Sequence, residues 1–159
     1  MRNIFLTLLI LFTNSLMAQT HQIIKHDGGI IDINFIKTEA SLVHYTLAKS
    51  TEEKTISQFA VAQLKERSQS YTQMITEKIQ LKGKLDYTKI IILKKNQTNG
   101  LKESGIITSF YGGTKGETPL SFSENGEKRL KQKAALKGHP FIVILSNTPK
   151  NLKAITFTY

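Results

Sequence analysis

The chain has 159 residues with no cysteine, and its 22 lysines and arginines outnumber 12 acids to give a formal charge of +10. The missing thiols exclude disulfides, thiolate metal sites and a lipid-modified N-terminal cysteine. The first 18 residues read as an export signal, with Arg2 ahead of an apolar run over 4–12, a polar Thr13, Asn14 and Ser15, and small Ala18 before Gln19. No later segment approaches the roughly 20 apolar residues of a membrane-spanning helix. The expected product is therefore exported, periplasmic or secreted, and begins at Gln19. Nucleic acid is not an expected partner in that compartment. Without disulfides, halves of about 60–75 residues must lean on each other or on a partner chain, a second copy included.

Residues 19–79 read as a small antiparallel β meander, barrel-like in its sequence of short strands. Ile31, Ile33 and Phe35 alternate with Asp32 and Asn34, and Val43, Tyr45 and Leu47 alternate with His44 and Thr46; that is the period of half-buried strands. Asp27, Gly28 and Gly29 form a turn before the first run, and residues 50–54 a polar hairpin loop after the second. The stretch 56–66 fits a helical face as well, through Phe59, Ala60, Gln63 and Leu64. The pattern favours a short helical turn there and a last strand around 70–76.

Residues 80–84 break the pattern and read as a linker. Residues 85–159 then give β-β-α-β-β, one helix on one sheet, so the fold class is α+β. The strands are 89–94, 104–110, a continuously apolar 141–145 typical of a sheet interior, and 154–159 at or next to an edge. Ser121 with Glu124 makes a capping-box pattern that opens the helix, and Gly138 ends it. Gly126, Leu130 and Ala134 share one narrow apolar face of it, and Lys128, Arg129, Lys131 and Lys133 cover much of the rest.

Two resemblances rest on these residues. The apolar strand 90–93, Gly100 and Leu101, Gly105 and Ile106, the helix run 129–135 and the strand after Gly138 resemble the small β-β-α-β-β domain shared by YbjQ-like proteins and the outer-membrane sensor lipoprotein of the Rcs envelope-stress phosphorelay. The matching positions are framework positions, so the resemblance implies a fold. The acylated cysteine and disulfides of that lipoprotein have no counterpart here, and neither do residues for the metal binding sometimes ascribed to the YbjQ-like family. The first half, through residues 23–31, 42–45, 55–57, Val61 and Leu64, is similar to a short module of exported Bacteroidetes proteins to which no chemistry is attached.

Catalysis needs a nucleophile, a base and an orienting group. His21, His26, His44 and His139 are dispersed, and Gly-x-Ser-x-Gly, His-Glu-x-x-His and Walker patterns are all missing from the sequence. The glycine loop 112–118 has the wrong spacing for a phosphate cradle and reads as a connector. No catalytic residue and no cofactor are expected. Cleavage before Gln19 would leave Gln19, Thr20 and His21 as a terminus whose amine, two amides and imidazole suit square-planar Cu(II) or Ni(II); chance placement of a histidine and cyclisation of Gln19 both argue against it. The expectation is a non-enzymatic envelope protein that binds a macromolecule, anionic in character, through Lys128, Arg129, Lys131 and Lys133. A periplasmic small-molecule or metal binder is the alternative.

Overall fold

In the computed structural model, which describes residues 20–67, 71–110, 112, 116, 118–148 and 151–159, the alternating segments are strands. The signal segment, Gln19 and most of the glycine loop lie outside the described residues. The chain divides between Ile75 and Thr76 into two compact units. The segment 80–84, expected as a linker, belongs to the second of them, where Leu81 packs against the core.

The first unit is an antiparallel sheet. Its strands are β1 (His21–Lys25), β2 (Ile30–Glu39), β3 (Leu42–Thr46), β4 (Glu53–Ser57), β5 (Val61–Glu66) and β6 (Thr72–Met74), in the sheet order β4-β3-β2-β1-β5-β6. It is a meander, as expected, only from β1 to β4; the chain then crosses over so that β5 pairs with β1. Asp27 makes the β1–β2 turn as expected: its Oδ1 accepts from the Gly29 amide at 2.9 Å, and Gly28 takes a φ of +90° that favours glycine. The β2–β3 turn was not visible in the sequence. Glu39 pairs with Leu42 across Ala40 and Ser41, both at positive φ, where Asn-Gly is the usual choice.

The ambiguity over 56–66 has a physical source. Only Gln58–Ala60 is helical, as a single 3-10 turn, and β5 then pairs with β1. The register slips at Ala62, so that Val61 and Leu64, three apart, are both buried. A bulge in a strand has thus produced the spacing of a helix.

The second unit has the expected β-β-α-β-β order. It comprises β7 (Ile91–Ile92), β8 (Lys102–Ser109), α1 (Pro119–Leu136), β9 (Phe141–Thr148) and β10 (Asn151–Thr158), with sheet order β7-β9-β10-β8. β9 is interior, as its continuous apolar run suggests, and β10 lies next to the edge strand β8, one of the two positions its alternation allowed. The first strand is shorter than its sequence implies. Residues Lys84–Lys89 form a 3-10 helix, and β7 runs parallel to β9 for two residues, flanked by buried Ile90 and Leu93. The helix also starts earlier than the Ser121 and Glu124 pattern suggests. Thr118 is the N-cap, its Oγ1 accepting from the Ser121 amide at 3.2 Å, and Pro119 occupies the first turn, where its missing N–H costs nothing. At the other end Gly138, φ +71°, donates to Ala135 O and His139 donates to Ala134 O, a Schellman cap.

Gly126, Leu130, Ala134 and Ala135 of α1 are buried on the sheet, against Leu152 and Ala154 of β10 and Ile142 of β9 among others. The β9–β10 register slips at Leu145, which turns Asn147 to the same side as Ile144. Asn147 Nδ2 then donates to the carbonyl and hydroxyl of Ser123 at 2.9 and 3.1 Å, stitching the helix N-terminal half to the sheet. The closeness is set by Gly126: a Cβ there would collide with Asn147 Oδ1 and stand 2.9 Å from Leu152 Cδ2.

Gly126→Ala should therefore destabilise the fold. The alanine gains about 1 kcal/mol of helix propensity, but overpacking against two held side chains costs about 1–3 kcal/mol. Leu130→Ala should cost about 2–5 kcal/mol. Lys131→Ala should lie within about 0.5 kcal/mol of wild type, because Lys131 only completes a surface pair with Glu127 at 2.9 Å. Urea unfolding of the three variants checks the register, and equal effects would mean that α1 is rotated from this position.

Candidate binding groove

Residues four apart share a helix face, and those three or four apart make neighbouring rows. The cations of α1 accordingly separate. Lys128 places its ammonium 5.4 Å from the centre of the Tyr87 ring, and Lys131 pairs with Glu127. Arg129 and Lys133 point to β8 instead: Arg129 Nη1 donates to the Phe110 carbonyl at 3.1 Å, and Lys133 Nζ donates to the Thr108 carbonyl at 2.6 Å. These bonds hold two otherwise mobile side chains in place.

Beside them α1 packs along the 3-10 helix Lys84–Lys89, which brings up Lys84. Lys84, Ser109, Arg129, Gln132, Lys133 and Leu136 line a groove of about 280 Å³. Among the described residues its lining contains three cations, a hydroxyl and an amide but no carboxylate. Asp86, on the same short helix, is occupied elsewhere: Lys89 at 2.7 Å and the Lys82 amide hold its carboxyl below the usual range. The groove thus offers donors to an anion.

Of the four cations expected from sequence, Arg129 and Lys133 meet here and Lys128 and Lys131 do not. Lys84 was missed because the segment 80–84 carries no periodic pattern. Its only signal was its charge.

The other expected sites are placed as follows. Gln19 lies outside the described residues. His21 is in β1, its Nδ1 2.7 Å from Thr20 Oγ1 and its ring 5.3 Å from that of Phe35. No group of three or more histidines and acids that could hold a metal exists among the described residues. His44 Nδ1 lies 2.5 Å from Glu53 Oε1 across β3 and β4. A further hollow in the first unit, about 510 Å³, is lined among the described residues by Asn34, Thr46, Lys49, Ser50 and Thr51, of which Lys49 is charged.

His139 serves the fold. Buried Thr156 donates its single hydroxyl proton to Gly105 O at 3.0 Å, so its oxygen accepts from His139 Nδ1 at 2.9 Å, which fixes the protonated ring nitrogen. Burial first, and Lys137 second, push the His139 pKa below its usual value.

The chain matches no protein-family model, no curated protein and no solved structure.

The depressed His139 pKa makes stability depend on pH. The unfolded chain takes up this proton near the ordinary histidine value of about 6.5, whereas the folded chain does so at lower pH. The contribution is therefore full above about pH 6.5 and lost as pH falls through the folded value. Urea unfolding at pH 7.5 and 5.5 should show a decline for wild type that is smaller for His139→Gln. Equal declines would contradict this account of the His139 environment.

Proposed function

We propose that the chain is a non-enzymatic module, exported to the cell envelope, that works by binding an anionic partner. The observation that carries this reading is the convergence of Lys84, Arg129 and Lys133 from two separate elements on a groove whose described lining residues include no carboxylate. Such convergence raises the local potential more than the same charges scattered over a surface. Hydrogen bonds to backbone carbonyls hold Arg129 and Lys133 at the groove, and the Lys133 ammonium, with three donors, can meet a ligand at little further entropic cost. Ser109 and Gln132 add neutral hydrogen-bonding groups.

Export is supported by the 1–18 segment, which reads as a signal. No helix among the described residues is long and apolar enough to cross a membrane. Regarding chemistry, His44 bonds Glu53 across β3 and β4, His139 bonds buried Thr156, and His21 bonds its neighbour Thr20, engagements that support binding over catalysis.

Affinity for dextran sulfate, a soluble polyanion, should fall about tenfold or more when Lys84, Arg129 and Lys133 are all changed to Gln. An equal change of charge at Lys49, Lys65 and Lys95 should have a much smaller effect, and wild-type binding should weaken with salt. Equal losses for the two triple variants would reduce the groove to one part of a diffuse charge.

A further inference from the structure

The hollow of about 510 Å³ in the first unit falls within the roughly 300–1,000 Å³ of small-molecule sites. Of its lining residues, Asn34 of β2 and Thr46 of β3 face each other across the sheet, both half-buried. Asparagine is a poor strand former, and a half-buried one in the middle of a strand normally has a partner for its amide. The side chains of Asn34, Thr46, Lys49 and Thr51 make no hydrogen bond or ion pair among the described residues. Ser50 is used only in part: its Oγ accepts from the Glu52 amide at 3.1 Å and keeps its own proton to donate. Its backbone N–H, donating to Leu47 O at 3.1 Å, closes the turn in which Lys49 takes a φ of +61°, a conformation lysine seldom adopts. A strand pair and a tight turn thus present five polar side chains to one hollow.

The chemistry of the lining selects the ligand. An apolar molecule would strip water from an amide and three hydroxyls and return no hydrogen bond. A polysulfate would find a single cation here, where the groove of the second unit offers three. A small inorganic anion would meet Lys49 and leave most of the hollow unfilled. The complement of one ammonium beside an amide and three hydroxyls, each of them donor and acceptor, is a molecule with one negative charge and several hydroxyls. We propose that this hollow binds a sugar acid, its carboxylate on Lys49 and its hydroxyls on Asn34, Thr46, Ser50 and Thr51. No aromatic side chain lines it among the described residues, so hydrogen bonds and not ring stacking carry the recognition. A free sugar acid and a uronic acid unit of a polysaccharide share this chemistry. The site is independent of the anionic reading of the groove in the second unit.

The experiment follows chemical shifts of the purified protein during titration with glucuronate, glucose, acetate and a trisaccharide of glucuronate units. Glucuronate should shift the five lining residues saturably and bind roughly tenfold more tightly than glucose, and acetate at the same concentration should leave them unmoved. Lys49→Gln should bring glucuronate down to the affinity of glucose and leave glucose unchanged. Thr46→Val keeps the shape and strand preference of the side chain and should weaken both sugars about tenfold. Thr51→Ala, at an exposed loop position that the fold does not need, should weaken both about threefold. Tighter binding of the trisaccharide than of glucuronate supports the site and makes a polysaccharide the source, and binding no tighter supports it with the free sugar acid as ligand. Glucuronate that leaves the five residues unmoved, or shifts only Lys84, Arg129 and Lys133, overturns the proposal. Equal wild-type affinity for glucose and glucuronate overturns the carboxylate contact and with it the sugar-acid assignment. Unchanged glucuronate binding in both Lys49→Gln and Thr51→Ala overturns the site.

Discussion

The second unit depends on how closely α1 approaches its sheet. Gly126 removes the one side chain that would hold the helix off Leu152 and Asn147, and the bulge at Leu145 turns Asn147 inward to bond Ser123. With the helix seated at Gly126, Leu130 and Ala134, its neighbouring row at Arg129 and Lys133 reaches the carbonyls of Thr108 and Phe110 at the β8 margin. A helix standing farther off would leave those cations in water. The groove is thus a consequence of helix–sheet distance before it is a consequence of charge.

The same two cations answer a second requirement. Among the described residues β8 neighbours only β10, which leaves its far side as a sheet edge, and edges left bare invite pairing with other chains. The ammonium of Lys133 and the guanidinium of Arg129 occupy carbonyls at that end of the strand. Positive charge at an edge also repels a second copy of the same strand. Protecting the edge and attracting an anion are compatible uses of Lys133, because an ammonium carries three donors and one of them meets the Thr108 carbonyl.

Much of the fold was legible where period and burial coincide. Ile31, Ile33 and Phe35 announced a strand, Gly126, Leu130 and Ala134 announced a buried helix stripe, and Gly138 announced its end. Legibility failed where a bulge shifted the period, as at Ala62, or where tertiary pairing set the length, as for β7, whose two residues are fixed by a parallel partner 50 residues away in sequence. The helix start was misplaced by one turn because Thr118 and Pro119 cap it locally, while the capping-box spacing at Ser121 and Glu124 was a coincidence of composition. The site was half legible. Charge density on α1 pointed to Arg129 and Lys133, but their partners are backbone carbonyls, which leave no mark in a sequence, and Lys84 arrives only through packing of the 3-10 helix on α1.

Amide and side-chain chemical-shift mapping of the protein during titration with a low-mass dextran sulfate tests the central claim most directly. The account predicts saturable shifts grouped at Lys84, Ser109, Arg129, Gln132, Lys133 and Leu136, the residues that share the groove. Shifts spread evenly over lysines of both units, or concentrated on Lys128 and Lys131 while the groove stays silent, would contradict it.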